Sequence, residues 1–156
     1  MVVHVIAVGR VRDAALAAAC DDYVRRARRG LGIVVREVRE AGRQAPTLAA
    51  ARMVEGERLR AAVPPGARRV ALTRGGRAVS STEFAEVVRR WREDARDVAM
   101  LIGGAGGLPD DLLAACEARL SLSRLTLPHE LARLVLCEQL YRAVTILRGE
   151  PYHKGV

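Results

Sequence analysis

Aromatic side chains are scarce in this sequence. Tyr23, Phe84, Trp91, Tyr141 and Tyr152 are the full set among 156 residues. The core must therefore be built from Val, Leu and Ala, and there is no aromatic-rich platform of the kind that stacks single-stranded bases. Asparagine is absent and Lys154 is the only lysine. Cysteine is limited to Cys20, Cys116 and Cys137, an odd number, widely spaced and without a Cys-x-x-Cys pair. His4, His129 and His153 also lie far apart. A disulfide framework and a structural zinc site are both disfavoured, so the cysteines read as buried thiols of a cytoplasmic protein. Catalysis is expected to proceed with no metal. The longest stretch without charge, Val98 to Pro109, holds four glycines and is too short to cross a bilayer, so no membrane partner is expected. The opening residues Met1 to Val8 lack a basic region and a small-residue cleavage site, and read as a strand rather than a signal peptide.

What the chain has is positive charge. Basic residues number 26 against 18 acidic ones, for a net charge of +8, and all but Lys154 are arginine. Coding bias can enrich arginine, yet an arginine in place of a lysine carries the same charge. A polyanionic partner is favoured. The length suits one compact domain over residues 1–156.

Apolar spacing predicts strands at Val2–Val8, at Ile33–Val35 with Val38, at Arg69–Thr73, at Asp97–Ile102 and at Leu120–Leu127. Helical spacing covers Asp13–Arg29, Leu48–Ala62, a segment opened by Ser80-Ser81-Thr82-Glu83, a short piece after Pro109, and Glu130–Leu147. Ser80 with Glu83 has the form of a capping box. Glu40–Thr47 reads as a mobile loop and Pro64-Pro65-Gly66 as a break. Strands alternating with helices give an α/β protein with a mainly parallel sheet.

Three segments are placed to carry chemistry. Gly103-Gly104-Ala105-Gly106-Gly107 follows a strand, where glycines permit positive φ and close backbone approach to a ligand. It matches neither a dinucleotide fingerprint nor a P-loop, so it reads as a loop for an unspecified ligand or as a tight turn. Ser121 to His129 ends a strand and opens a helix, where backbone groups suit a base edge or an anion. His129 reads as a capping histidine, a general base or a phosphate contact. Glu130–Leu147 is apolar around most of its circumference, which argues for packing on the sheet and against a second subunit. Glu138 and Arg142 are spaced for an ion pair on it. The tail from Gly149 would fray by default, yet it holds Tyr152 and His153 side by side.

Taken in order, Leu101-Ile102-Gly103-Gly104, Leu120 to His129, Glu138-Gln139-Leu140-Tyr141-Arg142-Ala143 and Pro151-Tyr152-His153 resemble one family over the whole chain. It is the RlmH family, bacterial methyltransferases of N3 of a pseudouridine in 23S ribosomal RNA, of the SPOUT class. The resemblance implies a SPOUT-like, mainly parallel sheet flanked by helices with a C-terminal trefoil knot, a homodimer, and S-adenosyl-L-methionine as cofactor. Carried over by position, the cofactor would contact Leu72 and Thr73, Gly103 and Gly104, and Ser123, Arg124, Leu125, Thr126, Leu127 and Pro128. Candidates for aiding deprotonation of the target nitrogen are His129, Glu138, Tyr152 and His153, with Arg142 as orienter or phosphate contact. The implied partner is ribosomal RNA on the assembled ribosome. One departure is Gly106, where relatives often carry an acidic residue. The competing readings are a SPOUT enzyme acting on transfer RNA or another ribosomal site and a catalytically silent, knotted RNA- or ribosome-binding dimer.

Overall fold

The computed structural model describes residues 1–42 and 45–153, and for residue 153 the backbone alone. Five strands form one sheet in the order β2-β1-β4-β3-β5. They are β1 (Val2–Val8), β2 (Gly32–Val38), β3 (Arg68–Ala78), β4 (Val98–Ile102) and β5 (Ala118–Ser121), and every neighbouring pair is parallel. Helices α1 (Ala14–Ala27), α3 (Ser81–Asp94) and α5 (His129–Leu147) cover one face, and α2 (Leu48–Ala62) and α4 (Asp110–Ala114) cover the other.

The alternation of strand side chains divides the apolar residues between these two layers. Along β1, Val3, Val5 and Ala7 enter the core that holds Val24, Phe84, Val88, Trp91, Leu136 and Leu140. Ile6 and Val8 point the other way, toward Leu59 and Leu112. β4 divides likewise, with Val98, Met100 and Ile102 on one side and Ala99 and Leu101 on the other. A strand buried on both faces has no position for charge, which explains why the longest uncharged run starts there. At its amino end the Asp97 carboxylate accepts from the Val2 amide at 2.7 Å and stands 3.4 Å from His4 Nε2. Helix α3 opens with the expected capping box, Ser80 accepting from the Glu83 amide while Glu83 accepts from that of Ser80.

Several boundaries differ from the sequence expectation. β5 ends at Ser121 rather than Leu127. The Ser121 hydroxyl donates to the Ser123 carbonyl at 2.9 Å, and the Ser123 hydroxyl accepts from the Leu125 amide at 2.9 Å. These side-chain bonds draw the backbone out of the ladder. β3 does not stop at Thr73 but resumes after a bulge and runs to Ala78. Cys20 and Cys137 are buried, whereas Cys116 is half-buried in the turn after α4, donating to the Leu112 carbonyl at 3.2 Å. The loop expected over Glu40–Thr47 includes residues 43–44, which lie outside the described residues. The tail does not fray at once: Pro151–His153 form a 3-10 turn packed on α5.

Candidate functional site

The carboxyl edge of the sheet gathers the segments that the sequence singles out. β4 empties into the glycine loop, where Gly104 bridges Gly107 and the Gly107 amide donates to the Gly104 carbonyl at 2.9 Å. A Cβ on Gly103 would lie 2.5 Å from the Gly107 carbonyl carbon, and one on Gly104 would lie 2.6 Å from Glu55 Oε2. At Gly103 the contact is with main chain, so that position needs the bare backbone, while at Gly104 the Glu55 carboxylate would have to move. Glu55, on α2, is buried beneath the loop and accepts from the Ala41 amide at 3.0 Å.

Next to β4, strand β3 carries the bulge. Leu72 and Arg77 both pair with Leu120, so residues 73–76 leave the ladder between them. Gly76 makes this close approach possible, because a Cβ there would meet the Leu120 backbone at 2.5 Å. The third segment follows β5. Arg74 from the bulge donates to the Thr126 hydroxyl at 3.3 Å, joining it to the loop of residues 122–128. Leu72 and Thr73, Gly103 and Gly104, and Ser123 to Pro128 thus occupy three neighbouring carboxyl-edge segments. They present mainly backbone groups with few fixed charges. Leu125, 75% exposed, stands open on this rim.

Pro128 precedes α5 and His129 is its first residue, half-buried and without a hydrogen-bond partner among the described residues. One turn on, Arg133 fastens the helix to the same sheet edge. Its side chain is 2% exposed and donates to Glu37 Oε1 at 2.5 Å and to the Gly9 carbonyl at 2.6 Å. Glu130 accepts from the Arg12 amide at 3.2 Å. Sequence spacing marked none of these anchors, since their partners lie about a hundred residues away and on other elements.

A second group forms farther along α5. Glu138 and Arg142 make the expected ion pair at 2.7 Å. The Tyr152 hydroxyl donates to Glu138 Oε1 at 3.1 Å and lies 3.4 Å from the Tyr23 hydroxyl. Burial first, then the Tyr23 hydroxyl and the Glu138 charge, push the Tyr152 phenol well above its ordinary range. At neutral pH it is a proton-holding donor, not a base. The bond to Glu138 conversely secures the charge of Arg142. The His153 side chain lies outside the described structure.

The five candidate catalytic residues therefore do not form one cluster within the chain. At 1.5 Å per residue, Glu138 is about 14 Å and Arg142 about 20 Å along the helix from His129. His129 belongs to the carboxyl edge, while Glu138, Arg142 and Tyr152 belong together. Among the described residues no three His, Cys, Asp or Glu side chains are grouped to hold a metal ion, and no helix is long and apolar enough to cross a membrane.

Residues 1–153 match the family model described as "Predicted SPOUT methyltransferase". The Ribosomal RNA large subunit methyltransferase H of Anaeromyxobacter dehalogenans (strain 2CP-1 / ATCC BAA-258) is 53% identical over 154 residues, covering 99% of this chain and 100% of the relative. The protein of the same name from Sorangium cellulosum (strain So ce56) is 48% identical over 151 residues, covering 95% and 96%. Among solved structures, a probable methyltransferase from Bordetella pertussis Tohama I superposes with a TM-score of 0.54 at 20% identity, covering 91% of this chain and 93% of that one. A probable methylase family protein from Haemophilus influenzae Rd KW20 gives the same TM-score at 12% identity, covering 98% and 70%. These structural likenesses establish the fold.

Proposed function

The chain belongs to the SPOUT methyltransferase family, and from that premise we propose that it methylates N3 of a pseudouridine in large-subunit ribosomal RNA, on the assembled ribosome in the cytoplasm, with S-adenosylmethionine as methyl donor. The observation that carries this reading is the meeting of the glycine loop, the β3 bulge and the Ser123–Pro128 loop on one edge, in a chain 53% identical to a named ribosomal RNA methyltransferase over its whole length. That level of likeness favours an enzyme over the catalytically silent RNA-binding dimer.

The residues fit the cofactor. Gly103 and Gly104 let the loop turn tightly against Gly107 and Glu55 at the carboxyl edge, so that it can offer backbone groups in place of side chains to the cofactor. Leu72, Thr73 and Ser123–Pro128 offer neutral backbone groups suited to an adenine edge. When bound, the cofactor supplies a methyl group already activated on a sulfonium, so the protein's share is positioning and the exclusion of water. His129 stands at this edge and its imidazole takes the proton of the target imide. Tyr152 holds its own proton and orients the nucleoside through its hydroxyl, with Glu138 fixing that hydroxyl and Arg142 facing phosphate or base.

The distance along α5 between His129 and the Tyr152 group has a natural solution in a homodimer, in which the tail of one subunit serves the carboxyl edge of the other. One observation supports this: helix α5 buries Leu136, Leu140 and Val144 between α1 and α3 and still keeps Leu131 38% exposed. The trefoil knot belongs to the same proposal. β5 lies at the β3 side of the sheet, yet α5 is fastened by Arg133 to Gly9 and Glu37 at the β1–β2 side, so the chain must cross the carboxyl edge between them. Exposed Arg10, Arg74 and Arg124 on that edge face the RNA phosphates.

Calorimetry with S-adenosylmethionine, followed by mass mapping of 23S ribosomal RNA from a deletion strain, tests the reading. Micromolar binding and one missing methyl on a pseudouridine are expected; absence of both would falsify it. Tyr152→Phe keeps the ring and removes the hydroxyl bond to Glu138. It is expected to lower the methylation rate at least about tenfold with cofactor affinity unchanged. Full activity in that variant would remove the tail from the mechanism.

A further inference from the structure

All three tyrosines of this aromatic-poor chain converge on a single arginine. Tyr23 comes from α1, Tyr141 from α5 and Tyr152 from the terminal turn. The guanidinium carbon of Arg26 lies 4.2 Å from the Tyr141 ring centroid, 5.3 Å from that of Tyr152 and 5.4 Å from that of Tyr23. Each is within the range at which a cation is drawn to a ring face. Arg26 Nη2 donates to the Tyr141 hydroxyl at 3.0 Å. The Tyr141 and Tyr152 rings meet edge-on at 4.6 Å. The Tyr152 ring centroid also lies 4.9 Å from the guanidinium carbon of Arg142.

The need for such a cage follows from the backbone. The last main-chain bond before the turn is the Glu150 amide to the Thr145 carbonyl at 2.9 Å. Beyond it a three-residue 3-10 turn with an exposed proline has little of its own to hold it. Side-chain contacts must fix where the Tyr152 hydroxyl sits. An ion pair with Asp22, 3.4 Å away, would suffice to settle Arg26 on α1. It leaves unexplained why three rings from three elements gather about the guanidinium.

We propose that Arg26 is a positioning residue for methyl transfer: its guanidinium latches the terminal turn and holds the Tyr152 hydroxyl against Glu138. The proposal rests on Tyr152 taking part in the reaction. Arg26 touches neither cofactor nor target base; it acts through the ring it holds.

The test is methylation kinetics on intact ribosomes for the full-length wild type, Arg26→Ala, Arg26→Lys, Tyr152→Ala and the double variant Arg26→Ala/Tyr152→Ala, with cofactor Kd and Tm measured alongside. Arg26→Ala is expected to lower kcat about ten- to a hundredfold, the scale of a small misplacement at a reacting group, with cofactor Kd unchanged. Arg26→Lys should recover part of the rate, since an ammonium keeps the attraction to the rings and loses the planar fork. The double variant should be no slower than Tyr152→Ala alone, because the latch has nothing left to hold. Wild-type kcat in Arg26→Ala, or losses that multiply in the double variant, overturn the proposal. If Arg26→Ala folds poorly, the decision passes to Arg26→Lys: wild-type kcat in that variant, or a loss that multiplies with that of Tyr152→Ala in the paired variant, overturns the proposal. A wild type that transfers no methyl group would instead overturn the methyltransferase reading itself.

Discussion

Gly103→Ala is expected to abolish detectable methyl transfer and to weaken S-adenosylmethionine binding by at least about a hundredfold, some 2.7 kcal/mol or more. The new Cβ would sit 2.5 Å from the Gly107 carbonyl carbon, 2.6 Å from its oxygen and 3.0 Å from its Cα. All three are main-chain atoms, so no side-chain rotation relieves the contact. The loop must open, and the turn closed by the Gly107 amide on the Gly104 carbonyl opens with it. Gly107 supplies the control. Its φ is 73° but nothing lies within 4 Å of a Cβ there, so Gly107→Ala meets only the left-handed penalty of about 1–2 kcal/mol. Calorimetry on both variants separates crowding within the loop from general strain. Equal affinity of Gly103→Ala and wild type would show that this loop does not hold the cofactor.

Arg133→Ala is expected to cost about 3–5 kcal/mol of stability, toward the lower end because its partner Glu37 is partly in water. The substitution strands the Gly9 carbonyl and empties the space of a side chain that is 2% exposed. In a chain of this length that corresponds to a fall in Tm of roughly 6–20 °C. Arg133→Met keeps most of the volume and should lose less, the difference measuring the polar share. An unchanged urea midpoint in Arg133→Ala would show that α5 is not anchored through this residue. The effect should reach the site too, because Arg133 lies one turn beyond His129 and sets where that imidazole stands.

The elements most readable in the sequence are those governed by local periodicity and capping. β1, α2, β4 and the Ser80 capping box lie where spacing places them. The misreadings fall where tertiary contact overrides pattern. Leu120 to Leu127 alternates like a strand, but the hydroxyls of Ser121 and Ser123 capture the backbone after Ser121. Arg74-Gly75-Gly76-Arg77 reads as a strand terminus, but Gly76 lets β3 fold back onto Leu120. The three carboxyl-edge segments were legible because glycine runs and a strand-to-helix junction are local signals. Arg26 was not. In the sequence it is one of several arginines near a helix end, and only folding brings Tyr141 and Tyr152 to it. The one local hint is Tyr23, three residues before it on the same helical face. Arg133 and Glu55 were equally hidden, since a charged residue on a mixed helix gives no sign of being buried.

The place of β4 in the sheet also governs how this protein is made. It lies between β1 and β3, yet it follows β1, β2 and β3 in the chain. During translation β1 can pair with β2 early, but its other edge, Val3 to Ala7, awaits partners that begin at residue 98. At ordinary elongation rates of about 5–20 residues per second, the nascent polypeptide carries that open edge for on the order of 5–20 seconds. An unpaired edge lined with Val, Ile and Ala is a template for other strands. The interval before the central strand arrives, rather than the finished molecule, is when this sequence is most prone to aggregate, and when a chaperone has most to shield.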